Sequence, residues 1–247
     1  MIELALLTLA SVWHNTWGNG QNRTLYPGDT DPYSVATEFS GDGSAYTAGK
    51  GVMSLTGFAP RYRVLENFQN VNVTVYAKRI EELKDLDFAG FQIGARSHHY
   101  ADNTCGANTY YGQLTYDGRV SFEKELFHGL GDDAFYPDVG DPSAQVYAFD
   151  GVPRNQWIGM QFLVRTVPDG VLLQLYLDKL DNGHWQKVLE YKDDGNWPVS
   201  TGHRNMNKIC EGYYPKNKVL TEPGFVFIRN DGLGRADYRD FVIKELA

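Results

Sequence analysis

Cysteine is nearly absent. The 247-residue chain has two, at positions 105 and 210, and a pair so widely separated cannot supply the Cys-x-x-Cys knuckle of a structural zinc site. Basic charge is also short. With 23 Lys and Arg against 31 Asp and Glu the net charge is -8, which argues against nucleic acid or an anionic membrane as the main partner. A polyanionic substrate is disfavoured for the same reason unless a local basic patch overrides the net value. No apolar run approaches the roughly 20 residues that span a bilayer. The opening MIELALLTLASV lacks a basic flank and a clear cleavage site, so it makes a poor signal peptide, and a buried first strand is one reading of it. Helical periodicity is the last absence: only RIEELKDLDF, residues 79–88, hints at a short helix.

What is present points to strands. The 26 glycines and 16 tyrosines suit a turn-rich β protein. Amphipathic runs such as VNVTVYAKR, AGFQIGAR, TYYGQLTY, RVSFEKELF, WIGMQFLVRT, VLLQLYLDK, GFVFIRND and YRDFVIKEL recur, separated by turn signals such as YDGR, VPDG and NDG. Many antiparallel strands with no helical half imply an all-β, two-sheet sandwich of the jelly-roll type. One domain over residues 1–247 is expected, with an irregular N-terminal segment over 1–35.

The hairpin at 109–127 tests that reading. A two-residue loop at Asp117-Gly118 would pair Tyr111 with Lys124 and mix polar and apolar side chains on both faces. A three-residue loop, Tyr116-Asp117-Gly118, puts Tyr110, Gly112, Leu114, Val120, Phe122 and Leu126 on one face, with Lys124 the exception. Thr109, Tyr111, Gln113, Arg119, Ser121, Glu123 and Glu125 share the other. A one-residue slip inverts a strand, so the register that sorts the residues should win.

In FAGFQIGARSHHY, residues 88–100, the same parity sends Ala89, Phe91, Ile93 and Ala95 inward. Gly90, Gln92, Gly94, Arg96 and His98 face outward, two glycines making room beside three polar side chains. Elsewhere Thr74, Tyr76 and Lys78, Gln161 and Arg165, and Gln174, Tyr176 and Asp178 take the wet side of their strands. Gln, Tyr and Arg recur there, which suits a groove that hydrogen-bonds hydroxyls and stacks on sugar rings.

WIGMQFLVRTVPDGVLLQLYLDK and the closing GFVFIRNDGLGRADYRDFVIKEL resemble the concanavalin A-like lectin/glucanase superfamily. The resemblance covers about the last hundred residues. It implies two bent antiparallel sheets with a concave glycan face. FQIGARSHH looks loosely like the polysaccharide lyase branch, which implies an export setting and β-elimination on an acidic, uronate-containing polysaccharide. The Arg-Thr-Glu-Leu-Arg and Tyr-Phe-Lys-Ala-Gly strands of alginate lyases are missing, as is the Glu-x-Asp-x-x-Glu strand of glucanases.

Such an elimination needs the carboxylate neutralised, the C5 proton removed and the leaving oxygen protonated. Gln92 and Arg96 suit the first task, His98 or His99 the second and Tyr111 the third. The plainer alternative pairs Arg96 with Glu123 or Glu125 and leaves SHHY as a solvated loop. A hydrolase would use Glu123 and Glu125, about 6.7 Å apart by strand rise. A third reading is a lectin-like module without catalysis, binding through Gln113, Gln161, Arg165, Gln174 and Tyr176, with Trp157, Trp185 and Trp197 as stacking platforms or as packing residues. The expected partner in all three is a polysaccharide or oligosaccharide held by a monomer, with no cofactor needed for catalysis. A structural calcium ion is a further expectation, with Asp42 and Asp240 as hard oxygen ligands, against a plain glycine turn at 40–49. Finally, GHRNMNKICEGYYPKNK, residues 202–218, is a long strandless stretch. A Cys105–Cys210 disulfide would bring its Tyr213, Tyr214 and Lys216 towards His98 and His99; two free thiols are the alternative.

Overall fold

The computed structural model describes residues 12–83, 86, 88–98, 107–126, 146–197 and 218–246. The described residues hold fifteen strands and no helix. They form two antiparallel sheets. In spatial order the larger runs β13 (Gln186–Asp193), β12 (Gly170–Asp178), β11 (Trp157–Val167), β7 (Val71–Glu82), β15 (Leu233–Glu245), β5 (Met53–Thr56), β4 (Ser44–Thr47) and β2 (Arg23–Leu25). β1 (Val12–Asn15) lies end to end with β5 along one edge of β15. The smaller sheet runs β10 (Val120–Glu125), β9 (Thr109–Thr115), β8 (Gly90–Ser97), β14 (Gly224–Asp231), β6 (Arg61–Phe68) and β3 (Thr37–Ser40).

Period-two alternation builds the sandwich. On β7, Val71, Val73, Val75 and Ala77 are buried while Thr74, Tyr76 and Lys78 alternate outward. The inner faces meet in one core, where the Phe122 and Phe162 rings from opposite sheets lie 5.8 Å apart. Each such fully buried apolar side chain contributes roughly 1.5–3 kcal/mol. The hairpin adopts the three-residue loop: Gly118 has φ 94° and Tyr111 pairs with Glu123. Lys124 is the inward exception that this register requires. Its Nζ donates to Asp193 Oδ2 (2.9 Å) and to the Lys218 carbonyl (2.9 Å), under the Trp197 ring. Asp193 ends β13, so a buried ion pair ties the edge of one sheet to the edge of the other.

Two expectations need correction. The RIEEL stretch is not helical: Arg79, Glu81 and Glu82 extend β7 and pair with Ala236, Arg235 and Leu233 of β15. A central strand partner overrides a charge pattern that suits a helix. Over its described part, residues 12–35, the N-terminal segment is also less irregular than expected. It supplies β1 and β2, and Trp17 is buried between Tyr62 (5.6 Å) and Phe241 (6.3 Å).

Candidate functional site on the outer face of the smaller sheet

Strand pairing lines up side chains from all six strands on the face of the smaller sheet that looks away from the core. One row reads Ser40, Arg61, Arg229, Gln92, Gln113, Ser121. The next reads Glu38, Arg63, Phe227, Gly94, Tyr111, Glu123. Neighbouring strands in a sheet are about 4.8 Å apart, so each row is about 24 Å long. Arg61, Arg63, Arg229, Gln113 and Glu123 are half-buried, and Gln92, Tyr111 and Glu125 are buried.

Most of the polar groups bond to each other. Asp231 accepts from Arg229 Nε (2.6 Å) and Gln92 Nε2 (2.8 Å). Gln113 accepts from Ser121 Oγ (2.8 Å) and donates to Glu123 Oε2 (2.6 Å). Tyr111 donates to Glu125 Oε2 (2.7 Å), and Arg63 pairs with Glu38. Burial, and then the Glu125 charge, push the Tyr111 phenol well above its ordinary range. Burial opposes the Arg229 charge, but Asp231 outweighs it and the guanidinium is held more firmly protonated than usual. The second row is interrupted by an apolar cluster in which its Phe227 and Tyr111 pack with Phe225. The two glycines of β8 do not open a hollow. A Cβ on Gly94 would lie 2.2 Å from the Phe227 ring, and one on Gly90 would lie 2.2 Å from the Leu114 carbonyl oxygen.

Arg96 is not on this face. A bulge at φ 51°, where the β8–β14 register shifts, turns the side chain inward. There Nε donates to the Gln69 carbonyl (2.7 Å), Nη1 to the Leu220 carbonyl (2.7 Å), and Nη2 to Asn70 Oδ1 (3.1 Å) and Thr166 Oγ1 (2.8 Å). Burial lowers its pKa to about 10, and its pairing with Glu123 or Glu125 does not occur. With its donors spent in the interior, this guanidinium has no fork to offer a sugar carboxylate. His98, just past β8, has a buried Nε2 with no partner; burial, then the Lys218 charge, lower its pKa.

Gln161, Arg165, Gln174 and Tyr176 are on the other side of the molecule. They belong to β11 and β12 of the larger sheet, so their outward face looks away from Gln92 and Gln113. Gln161 donates to Thr74 Oγ1, Gln174 to Glu190, and Tyr176 to Gln174, while Arg165 is exposed. Trp157 and Trp185 share that second face, against Lys78 and Tyr76, and Trp197 is buried against Tyr110. The expected single groove is therefore two faces back to back. Side-chain parity separates inside from outside on each strand but does not reveal which sheet the strand joins.

Asp42 and Asp240 are not brought together. Both Asp42 oxygens accept backbone N–H groups, from Phe58 (2.8 Å) and Ala59 (2.6 Å). Asp42 lies beside Thr56, the partner of Arg235, and Asp240 follows five residues further along β15, roughly 15 Å away by strand rise. Among the described residues no three Asp, Glu, His or Cys groups converge on a metal position, and these two aspartates do not fit calcium. His99, Cys105, Cys210, Tyr213, Tyr214 and Lys216 lie outside the described residues.

Neither a family model nor a curated protein sequence matches the chain. Solved structures do. Lectin II from Ulex europaeus superposes with a TM-score of 0.50 at 10% identity, over 92% of this chain and 100% of that one. The Ca2+-bound exoplasmic/lumenal domain of VIP36 gives 0.49 at 12%, covering 92% and 93%. The carbohydrate-binding module CBM66 from Bacillus subtilis gives 0.42 at 12%, covering 96% and 98%. The two-sheet antiparallel sandwich is thus the fold of that plant lectin, a β jelly roll as expected.

Proposed function

We propose that the protein is a lectin-like module that binds a polysaccharide along the outer face of its smaller sheet without cleaving it. The observation that carries this reading is the unbroken polar row across six strands, Ser40 to Ser121, about as long as four or five sugar units, with half-exposed amide and guanidinium groups suited to hydroxyls. That a protein of the same fold is a lectin lends support.

Cleavage has less support. For β-elimination, Arg96 faces the interior, Gln92 is engaged by Asp231 and the Tyr111 proton is committed to Glu125. For hydrolysis, Glu123 and Glu125 are each already accepting a hydrogen bond from the sheet. An exported setting and a single module over the whole chain accord with glycan binding. Two tests follow. Gln113→Ala and Glu123→Gln should each weaken retention on the recognised polymer by about tenfold, the equivalent of roughly 1.4 kcal/mol, with the circular dichroism spectrum unchanged; full retention by both folded variants would move the site elsewhere. Incubation with that polymer should yield neither unsaturated product nor new reducing ends, and EDTA should leave retention intact. Either product would restore an enzyme reading.

A further inference from the structure

Arg61 is the one member of the polar row whose cation has no acceptor. It stands directly opposite Arg229 on β14 and Ser40 on β3. Arg229 has Asp231 and Arg63 has Glu38, but Arg61 makes no hydrogen bond or ion pair among the described residues, and its Nε is buried. Ser40 Oγ, its neighbour in the row, is buried without a partner as well. Two adjacent orphan donors on one face are unusual, because a buried polar group without a partner is destabilising. The nearby carboxylates do not fill the gap: Asp231 is held by Arg229 and Gln92, and Glu125 accepts from Tyr111. Burial, and then the facing Arg229 charge, lower the Arg61 pKa, so a negative group arriving here would relieve a like-charge contact.

We propose that Arg61 and Ser40 form a subsite for an anionic group on the bound glycan, a uronate carboxylate or a sulfate ester. This rests on the smaller sheet's outer face being the glycan site, and it adds the substrate class. A guanidinium fork matches two oxygens of either anion, and the serine hydroxyl can donate to one of them. Such a subsite is a local basic patch of the kind that lets a chain of net charge -8 accept an acidic polymer.

The test uses the full chain and its Arg61→Gln and Arg61→Lys variants, with four probes at one fixed ionic strength. These are a polyuronate, the same polymer after carboxyl reduction, a sulfated galactan and its desulfated form. The wild type should bind one acidic polymer at least about tenfold more tightly than its neutral counterpart, and which one it prefers names the anion. Arg61→Gln should erase that preference, read as the ratio of acidic to neutral affinity, and Arg61→Lys should retain part of it. Equal binding of acidic and neutral polymers by the wild type, or a preference that survives Arg61→Gln, overturns the subsite and leaves glycan binding standing. Failure to bind any of the four overturns both.

Discussion

Arg96→Leu is expected to destabilise the protein by about 3–5 kcal/mol and to leave glycan affinity unchanged in the fraction that stays folded. The side chain bridges the Gln69 carbonyl and Asn70, between β6 and β7, to the Leu220 carbonyl and to Thr166 at the end of β11. Leucine fills part of the volume but leaves four acceptors facing an apolar group. Arg96→Lys keeps the charge and reaches fewer of them, so its loss should be intermediate. Urea denaturation read by tryptophan fluorescence measures the first quantity and affinity electrophoresis the second. A stability loss below about 1 kcal/mol, accompanied by lost binding, would mean that Arg96 serves the ligand after all.

Cooperative unfolding is expected as the pH is raised above 10. Burial, reinforced by Asp31, pushes the Tyr62 phenol up to about 12. Burial, with further contributions from Asp193, Glu125, Tyr238 and Asp231 respectively, also raises Tyr110, Tyr111, Tyr116 and Tyr238 well above the ordinary phenol range. Below pH 10 these phenols are protonated in both states. Above it the unfolded chain releases protons that the folded chain holds, so stability falls as pH climbs through the folded values. Each phenol removes up to about 1.4 kcal/mol per pH unit, and five together up to about 7 kcal/mol, comparable with the whole stability of a typical domain. Lys124, Lys218, Arg61 and Arg96 work the other way, since burial lowers the pKa of each and adds stability as pH rises towards their ordinary values, so the net loss is smaller than that sum. Tyrosinate absorbance and far-ultraviolet circular dichroism should share one midpoint for these residues. Ionisation of all 16 tyrosines near pH 10 with the sheet signal intact would refute the argument.

The local pattern was legible wherever chemistry is local. The turn residues of Tyr116-Asp117-Gly118 and the need to sort polar from apolar set the β9–β10 register, including the inward Lys124. Three things were not. The bulge at Arg96 carries no local signal, because a positive φ at arginine is imposed by the β8–β14 pairing around it. Sheet membership is non-local, so Gln161 and Gln174 read as companions of Gln92 although the sandwich separates them. The Arg61–Arg229 pairing joins strands 168 positions apart (229 minus 61). Its one available signal was the alternation in RYRV, where Tyr62 and Val64 face the core and Arg61 and Arg63 face out.

The position of β15 bears on how the molecule is made. This strand is the last in sequence among the described residues, yet it lies inside the larger sheet, with β7 on one edge and β5 and β1 on the other. Without residues 233–245, β7 keeps only β11 and β5 keeps only β4, so one edge of each is unpaired and the sheet exists as separate fragments. The larger sheet therefore closes in a step that waits for β15 and is dominated by distant contacts, which are slow to form.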